Sequence, residues 1–454
     1  MNYTGAIDAR AGNGAGIIQP KLYYYLLFVP FFLPDRLLSQ ALPFFFLFAA
    51  IVVTNGSHRK QTPLTTPVLL LLLVSLCSFA VNRYDPFKYA IALITYFGGL
   101  CFFFFGYVKG YSIRIEGLVK AFQTVVLLEV LLGTLQVFIG IGGFHLDPFK
   151  YVGSAGDNFT GTLLNPGKTA QILAAQIVLA LILTLAQPYG GRSSSWAFIL
   201  ILLTGLALDG TLHIIVCFLV AMSIFYRKLA KRYIRWAAIV AGGLSVTYLL
   251  FKDDYSYGFN ILSQILDGVL QPRKFISMAD TIMVLPTLYP WAPFIGIGIG
   301  NYSSYAGLVS SGMIPSAHWL DLGMNQAQRD FIWLNWNWLL LQKPFNEGMM
   351  NQPWSTFQSL YGELGSFGVL VFLGIFRRIF QLLRSLKMYK PDLNNGLRFA
   401  SIFLLITFFF DNYFEDPRII GIYFLFIGVY FAGARAANLA LRNNVKSEKR
   451  TCTI

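Results

Sequence analysis

Apolar runs of near-spanning length recur along almost the whole chain, and this constrains the fold more than any single motif. A helix that crosses a bilayer needs about 20 mostly apolar residues, because the hydrocarbon layer offers the backbone no water to bond. Such runs stand at about 18–34, 39–54, 64–81, 87–107, 118–140, 168–187, 195–208, 211–226, 236–251, 361–380, 399–411 and 418–434. They predict an all-α polytopic membrane protein of about 12 transmembrane helices. Only 12% of the residues are charged, against about 25% in a soluble globular domain. No cleavable signal peptide stands out, so the first run is expected to stay in place as a span.

The net charge of +14 raises the question of nucleic acid, and the positions of the cations answer it. Arg227, Lys228, Lys231, Arg232 and Arg235 fall in one connector, and Arg377, Arg378, Arg384, Lys387, Lys390 and Arg398 in another. Arg435, Arg442, Lys446, Lys449 and Arg450 fall in the tail. An even number of spans puts all these segments on one face. That is the positive-inside pattern, which sets topology and attracts anionic lipid rather than nucleic acid. Both termini are therefore expected in the cytoplasm. The chain divides into N-terminal helices over 1–251, a large external or interfacial loop over 252–360, C-terminal helices over 361–434 and a basic tail over 435–454.

The loop carries Trp291, Trp319, Trp333, Trp336, Trp338 and Trp354 of the chain's 8 tryptophans, as expected of a segment at the membrane–water interface. Its apolar stretch around 281–299 is broken by Pro286, Pro290 and Pro293, and so reads as interfacial or re-entrant rather than spanning. No internal repeat is visible, which weakens an inverted-repeat transporter reading. The 4 cysteines and 4 histidines show neither CxxC nor HxxxH spacing, so no disulfide framework, metal site or cofactor is expected.

Several groups have the chemistry of a site. Arg273 and Lys274 sit on the external side against the charge bias: they are either an ordinary solvated pair or a clamp for an anionic headgroup or diphosphate, where arginine offers a bidentate fork. Arg36, Arg83, Lys168 and Arg329 would add to such a surface if the fold gathers them. Gly296, Gly298, Gly300 and Asn301 lack dinucleotide-fingerprint spacing and suit a turn with close backbone approach. Asp209 and His213 are four residues apart at the junction of two spans, and are either a membrane-depth site or part of a turn at Asp209-Gly210. Glu363 opens the span after the loop, where helix capping competes with a site role.

Taken in order, Arg273, then Pro293-Phe-Ile-Gly296-Ile-Gly298-Ile-Gly300-Asn301-Tyr302, then Ser355-Thr-Phe-Gln358-Ser-Leu-Tyr-Gly-Glu363-Leu-Gly365 resemble the pattern of the O-antigen ligase and Wzy-type polysaccharide polymerase superfamily. Phe159-Thr160-Gly161-Thr162-Leu-Leu-Asn165-Pro166 is similar to the segment which that family carries after its fifth span. The resemblance covers about residues 155–430. It implies a GT-C-like membrane glycosyltransferase that needs no metal. Its substrates would be an undecaprenyl-diphosphate-linked glycan donor and acceptor at the periplasmic face of a bacterial inner membrane, with a chain-length regulator as a possible partner. Two positions depart from the pattern. Trp354 stands where ligases place a histidine, and Leu208-Asp209-Gly210 stands where a second arginine is expected. The first departure favours the polymerase branch.

The implied reaction has a hydroxyl of the acceptor attacking C1 of the donor sugar while lipid diphosphate leaves. Arg273 is the expected stabiliser of the diphosphate, and His318, Glu347 and Glu363 are candidates for the base. Lys274, Arg329, Lys168, Gly298, Gly300, Asn301, Trp354 and Asp209 are the expected substrate-binding residues. The alternatives are an O-antigen ligase, a transporter or flippase of lipid-linked saccharide, and a non-catalytic partner of an export complex.

Overall fold

A computed structural model of the protein describes residues 21–33, 36–53, 62–139, 159–163, 168–188, 192–225, 263, 273–302, 304–311, 322–330 and 355–451. Among these every regular element is helical. In chain order they are α1 (Leu22–Leu26), α2 (Arg36–Val53), α3 (Thr65–Asn82), α4 (Pro86–Lys109), α5 (Ile115–Ile139), α6 (Lys168–Ala186), α7 (Arg192–Asp209) and α8 (Leu212–Phe225). There follow α9 (Arg273–Met283), α10 (Leu285–Leu288), α11 (Ala292–Ile295), α12 (Tyr305–Ser310) and α13 (Gln326–Gln328), then α14 (Thr356–Ser385), α15 (Pro391–Phe410) and α16 (Pro417–Thr451).

Six of the described helices, α3, α4, α5, α14, α15 and α16, contain stretches long and apolar enough to cross a membrane. Shorter apolar stretches at Leu22–Phe31, Ala41–Val52, Ala170–Ala186, Ser193–Asp209 and Leu212–Phe225 complete the set. The described residues are thus all-helical, with the long apolar helices of a membrane-embedded protein. The expected run 236–251 lies outside the described residues.

Three boundaries differ from expectation. The first run is not one helix: Pro30 sits in a 3₁₀ turn, Val29–Phe31, after α1 has ended. The span expected from 361 starts at Thr356, where the Ser355 hydroxyl caps it by accepting from the Gln358 amide at 3.4 Å. The tail expected from 435 continues α16 as helix to Thr451. Pro286, Pro290 and Pro293 divide the stretch after α9 into α10 and α11, as their missing amides and fixed φ require.

α16 is the central pillar, with 83% of its apolar window buried, whereas α3, at 17%, lies at the periphery. α16 packs along α4 through small residues. A β-carbon on Gly428 would lie 2.3 Å from the Phe103 carbonyl oxygen, and one on Gly106 would lie 2.7 Å from that of Leu425. Lipid supplies no hydrophobic drive between helices, so this close backbone approach provides the packing that joins them. Around the pair, Phe28, Phe31, Phe102, Phe103, Phe122, Tyr423 and Phe426 form an aromatic core.

One end of the bundle gathers the turns 83–85 and 411–416 with α9 to α13; it is called the site end below. There the Asp85 carboxylate caps α4 by accepting from the Phe87 amide at 2.6 Å. The turn between α14 and α15 lies at the far end, where Lys390 pairs with Glu116 of α5.

α9 is an inside-out amphipathic helix. Lys274, Ser277 and Thr281 are buried, while Phe275, Ile276, Ile282 and Met283 are exposed. Polar groups facing protein and apolar groups facing outward suit a helix lying against lipid.

Candidate functional site

The site end is organised by a backbone interlock between two segments more than sixty residues apart. α14 is interrupted at Gly365, whose φ of 66° and ψ of −167° are not helical. A break of this kind releases carbonyls of the preceding turn from the helical ladder, and they must be bonded elsewhere. The glycine turn after α11 supplies the donors. The Ile297 amide donates to the Gly362 carbonyl at 2.9 Å, and the Gly298 amide to the Glu363 carbonyl at 3.0 Å. The Ser78 hydroxyl of α3 adds a third bond to the Glu363 carbonyl at 3.1 Å.

The approach is closed to any β-carbon from both sides. On Gly296 it would lie 2.1 Å from the Glu363 carbonyl carbon, and on Gly365 it would lie 2.2 Å from the Phe294 carbonyl carbon. Gly296, Gly298 and Gly300 also have positive φ, at 69°, 100° and 78°, a region that side-chain-bearing residues rarely occupy. The expectation of a close-approach turn is thus met, and the partner is the Glu363-Leu-Gly365 segment.

The Glu363 side chain finishes the interlock. It is fully buried; one carboxylate oxygen accepts from the Tyr96 hydroxyl of α4 at 2.5 Å. The other accepts from the Tyr302 amide at 3.3 Å. Ser355, not Glu363, caps α14, so the capping reading of Glu363 is replaced by one in which it ties the glycine turn to α4. A carboxylate that a tyrosine hydroxyl and a backbone amide hold from both sides without solvent contact is suited to positioning rather than to meeting a substrate hydroxyl.

The Tyr302 ring covers Gly362, whose β-carbon would lie 2.5 Å from it. Its hydroxyl bonds Thr281 of α9 and accepts from the Gln358 amide of α14 at 2.9 Å. Gln358 also donates to Ser277 of α9 at 2.5 Å. α9, which Arg273 opens, is thereby fixed against α14 through its polar face. Burial pushes the Tyr302 phenol above its ordinary pKa, partly offset by the bonds to Thr281 and Gln358.

Asn301 is buried and structural: its amide donates to the Ile297 carbonyl at 3.0 Å, and its oxygen accepts from Asn325 at 2.7 Å. α13 closes the same turn from above, with Gln328 donating to the Gly300 carbonyl at 2.8 Å. Lys88 of α4 in turn donates to Gln328 at 2.8 Å. Gly298 and Gly300 therefore serve the turn, and their amide and carbonyl groups are directed into protein.

Lys274 differs from both expectations. It is neither solvated nor presented as a clamp. It is 1% exposed, and its ammonium donates to the Phe410 carbonyl at the C-terminus of α15, where the helix dipole favours a cation. Burial pulls its pKa down to about 8, against the opposing pull of Asp411 and Cys217. Nearby, His213 Nε2 and the Tyr413 hydroxyl lie 3.2 Å apart, and burial followed by Asp411 pushes the Tyr413 phenol well up. Asp209 ends α7 and accepts from the Thr211 amide at 3.2 Å, the turn reading of that pair.

Between these groups, the 411–418 turn is held by buried polar bonds. Glu415 accepts from the Ala306 amide at 3.0 Å, and the Arg418 guanidinium grips Asp416 bidentately at 3.0 and 2.8 Å.

Other expected residues are dispersed. Arg329 and Arg83 are exposed, and no ion pair joins either to the interlock among the described residues. The backbones of Arg273, Arg36 and Lys168 belong to α9, α2 and α6; their side chains lie outside the described residues, as do His318, Glu347 and Trp354. The Phe159–Leu163 segment is not brought to the glycine turn. It is pinned to α5, where Glu129 accepts from the Thr162 amide at 2.7 Å and Gln136 from the Gly161 amide at 2.8 Å. Glu129 carried a signal that went unused, an acidic residue in mid-span. Tyr96 carried none. Among the described residues no group of three or more His, Cys, Asp or Glu is placed to hold a metal ion.

No protein-family model matches this chain, and no curated protein matches it in sequence.

Proposed function

We propose that the protein is a polymerase of undecaprenyl-diphosphate-linked oligosaccharide repeat units, acting by glycosyl transfer at the outer face of a bacterial inner membrane. The observation that supports this reading is the interlock. The glycine turn at 296–302 and the Glu363-Leu-Gly365 segment, noted in the sequence as two parts of one family-like pattern, pack backbone against backbone. α9, with Arg273 at its start, is bonded to the same unit through Ser277 and Thr281. Three separated stretches thus meet at one end of a membrane bundle, beside an inside-out helix suited to the lipid surface.

In this reading the acceptor hydroxyl attacks C1 of the donor sugar, the C1–oxygen bond to the diphosphate breaks, and undecaprenyl diphosphate departs with the electron pair. Arg273 opposes the charge that develops on the diphosphate. Glu363 sets the position of the glycine turn and α4. The acceptor proton leaves with a base outside the interlock, His318 and Glu347 being the candidates. Diphosphate is already a good leaving group, so a weak base suffices.

The experiment uses lipid-linked oligosaccharide extracted from a strain lacking this chain. Purified protein in proteoliposomes should lengthen it and release undecaprenyl diphosphate, and Arg273→Ala should slow this at least tenfold, about 1.4 kcal/mol in the transition state. Unchanged oligosaccharide with wild-type protein would refute the polymerase. Accumulation of the lipid-linked unit on the cytoplasmic face of that strain would point to a flippase instead.

A further inference from the structure

The far end of the bundle carries a groove that the reading above does not use. It has a volume of about 980 Å³ and runs between α14 and α15. Leu373, Phe376, Phe380 and Leu405 give it an apolar wall toward the middle of the helices, with Arg377 among them, and Arg384, Lys387 and Arg398 line it toward their shared turn. The gradient follows from helical spacing. Positions 373, 377, 380 and 384 repeat along one face of α14, and 398 and 405 lie two turns apart on α15. Because the two helices run antiparallel into the 386–390 turn, their cationic ends coincide and their apolar ends coincide.

These cations have no acidic partner among the described residues, although Lys390 of the same turn pairs with Glu116. The other basic connector, with Arg227, Lys228, Lys231, Arg232 and Arg235, has the wrong sign to neutralise them. A groove of this size is at the upper end for a bound small molecule. Its lining asks for an amphiphile with an anionic head at the membrane surface and an apolar body beneath it.

We propose that this groove is a binding site for an anionic phospholipid of the leaflet at the far end, cytoplasmic by the charge rule. The phosphate would sit among Arg384, Lys387 and Arg398, with one acyl chain along Leu373, Phe376, Phe380 and Leu405. Arginine's fork suits the phosphate oxygens, and basic pockets between spans are where such headgroups are held. The site stands independently of the glycosyl-transfer reading, since it lies at the opposite end of α14.

The test is native mass spectrometry of the full-length protein released from vesicles of phosphatidylethanolamine with phosphatidylglycerol or cardiolipin. Wild type should retain anionic lipid selectively. R384A/K387A/R398A should weaken retention about a hundredfold, at about fivefold per cation. K446A/K449A/R450A, which removes equal charge from the tail, should retain it. Equal loss in both variants would show general surface attraction and overturn the site, as would displacement of the lipid by millimolar inorganic phosphate. A photoactivatable phosphatidylglycerol on wild-type protein gives a reading free of folding defects. Cross-links should map to 373–387 and 398–405, and cross-links confined elsewhere would overturn the proposal.

Discussion

Gly296→Ala tests the interlock most directly, because two separate costs meet at one atom. The native φ of 69° with ψ of −172° is a region essentially reserved for glycine, worth about 1–3 kcal/mol of strain for any other residue. The added methyl would also lie 2.1 Å from the Glu363 carbonyl carbon and 2.3 Å from the Leu364 amide nitrogen. Those atoms are backbone and have no rotamer to retreat into, so an overpacking cost of about 1–3 kcal/mol applies as well. The sum is about 2–6 kcal/mol, a large part of the stability of an ordinary domain. Two other glycines separate the terms. Gly210 has a φ of 71° but nothing within 4 Å of a β-carbon, and Gly374 has open space and lies within α14. Gly374→Ala should be neutral or stabilising by up to about 1 kcal/mol. Gly210→Ala should show the strain alone, and Gly296→Ala both terms. Thermal unfolding in one detergent, followed by tryptophan fluorescence, gives the order. If Gly296→Ala melts with Gly210→Ala, the backbone contact contributes nothing and the interlock is wrong.

Two further outcomes follow from the buried charges. The Lys274 pKa near 8 lies below the value of about 10.4 in an unfolded chain. Between these values the unfolded state binds more protons, so stability should rise from pH 8 to about 10.5 and be flat below 8. Lys274→Met should abolish that rise, measured as unfolding midpoint against pH; a variant whose midpoint keeps the wild-type slope would refute the assignment. Arg418→Met leaves the Asp416 carboxylate, 3% exposed, without its bidentate partner and should cost about 3–5 kcal/mol. Asp416→Asn in the same background should recover part of that loss, and no recovery would place the cost elsewhere.

The membrane helices were legible because one rule governs them. Lipid leaves the backbone no partner but itself, so apolar length alone marks a span, and the runs at 64–81, 87–107 and 118–140 became α3, α4 and α5. The prolines of the loop were equally readable, since Pro286, Pro290 and Pro293 act on the residues beside them, whereas the break at Pro30 inside an expected span was not. Gly296 could be read as a point of close approach, but not what approaches it. That depends on the break at Gly365 freeing the Gly362 and Glu363 carbonyls, a contact across more than sixty residues. Tyr96 was invisible for the same reason: within an apolar run it looks like any half-buried tyrosine until the carboxylate it bonds is known.

Lys274 shows where the physical reading itself needed reversing. A lysine at the start of a loop is ordinarily solvated, because an ammonium loses more on burial than a carbonyl partner returns. α9, however, lies where water is not its only neighbour. Phe275, Ile276, Ile282 and Met283 take the outward positions, which leaves the inward face to Lys274, Ser277 and Thr281. The helix can keep that arrangement only if each inward polar group is bonded, and each is: Lys274 to Phe410, Ser277 to Gln358, Thr281 to Tyr302. The cationic groove at the far end obeys the opposite logic. Arg377, Arg384 and Lys387 stay exposed, with no acid among the described residues to neutralise them. Buried cations at the site end are thus consumed by the architecture, and a ligand's negative charge must be met there by Arg273 or by residues outside the interlock. At the far end the charge remains open to a ligand. On the proposed function, diphosphate at one face and a phospholipid at the other would draw on different cations, and substitution at one end should leave the other end's binding intact.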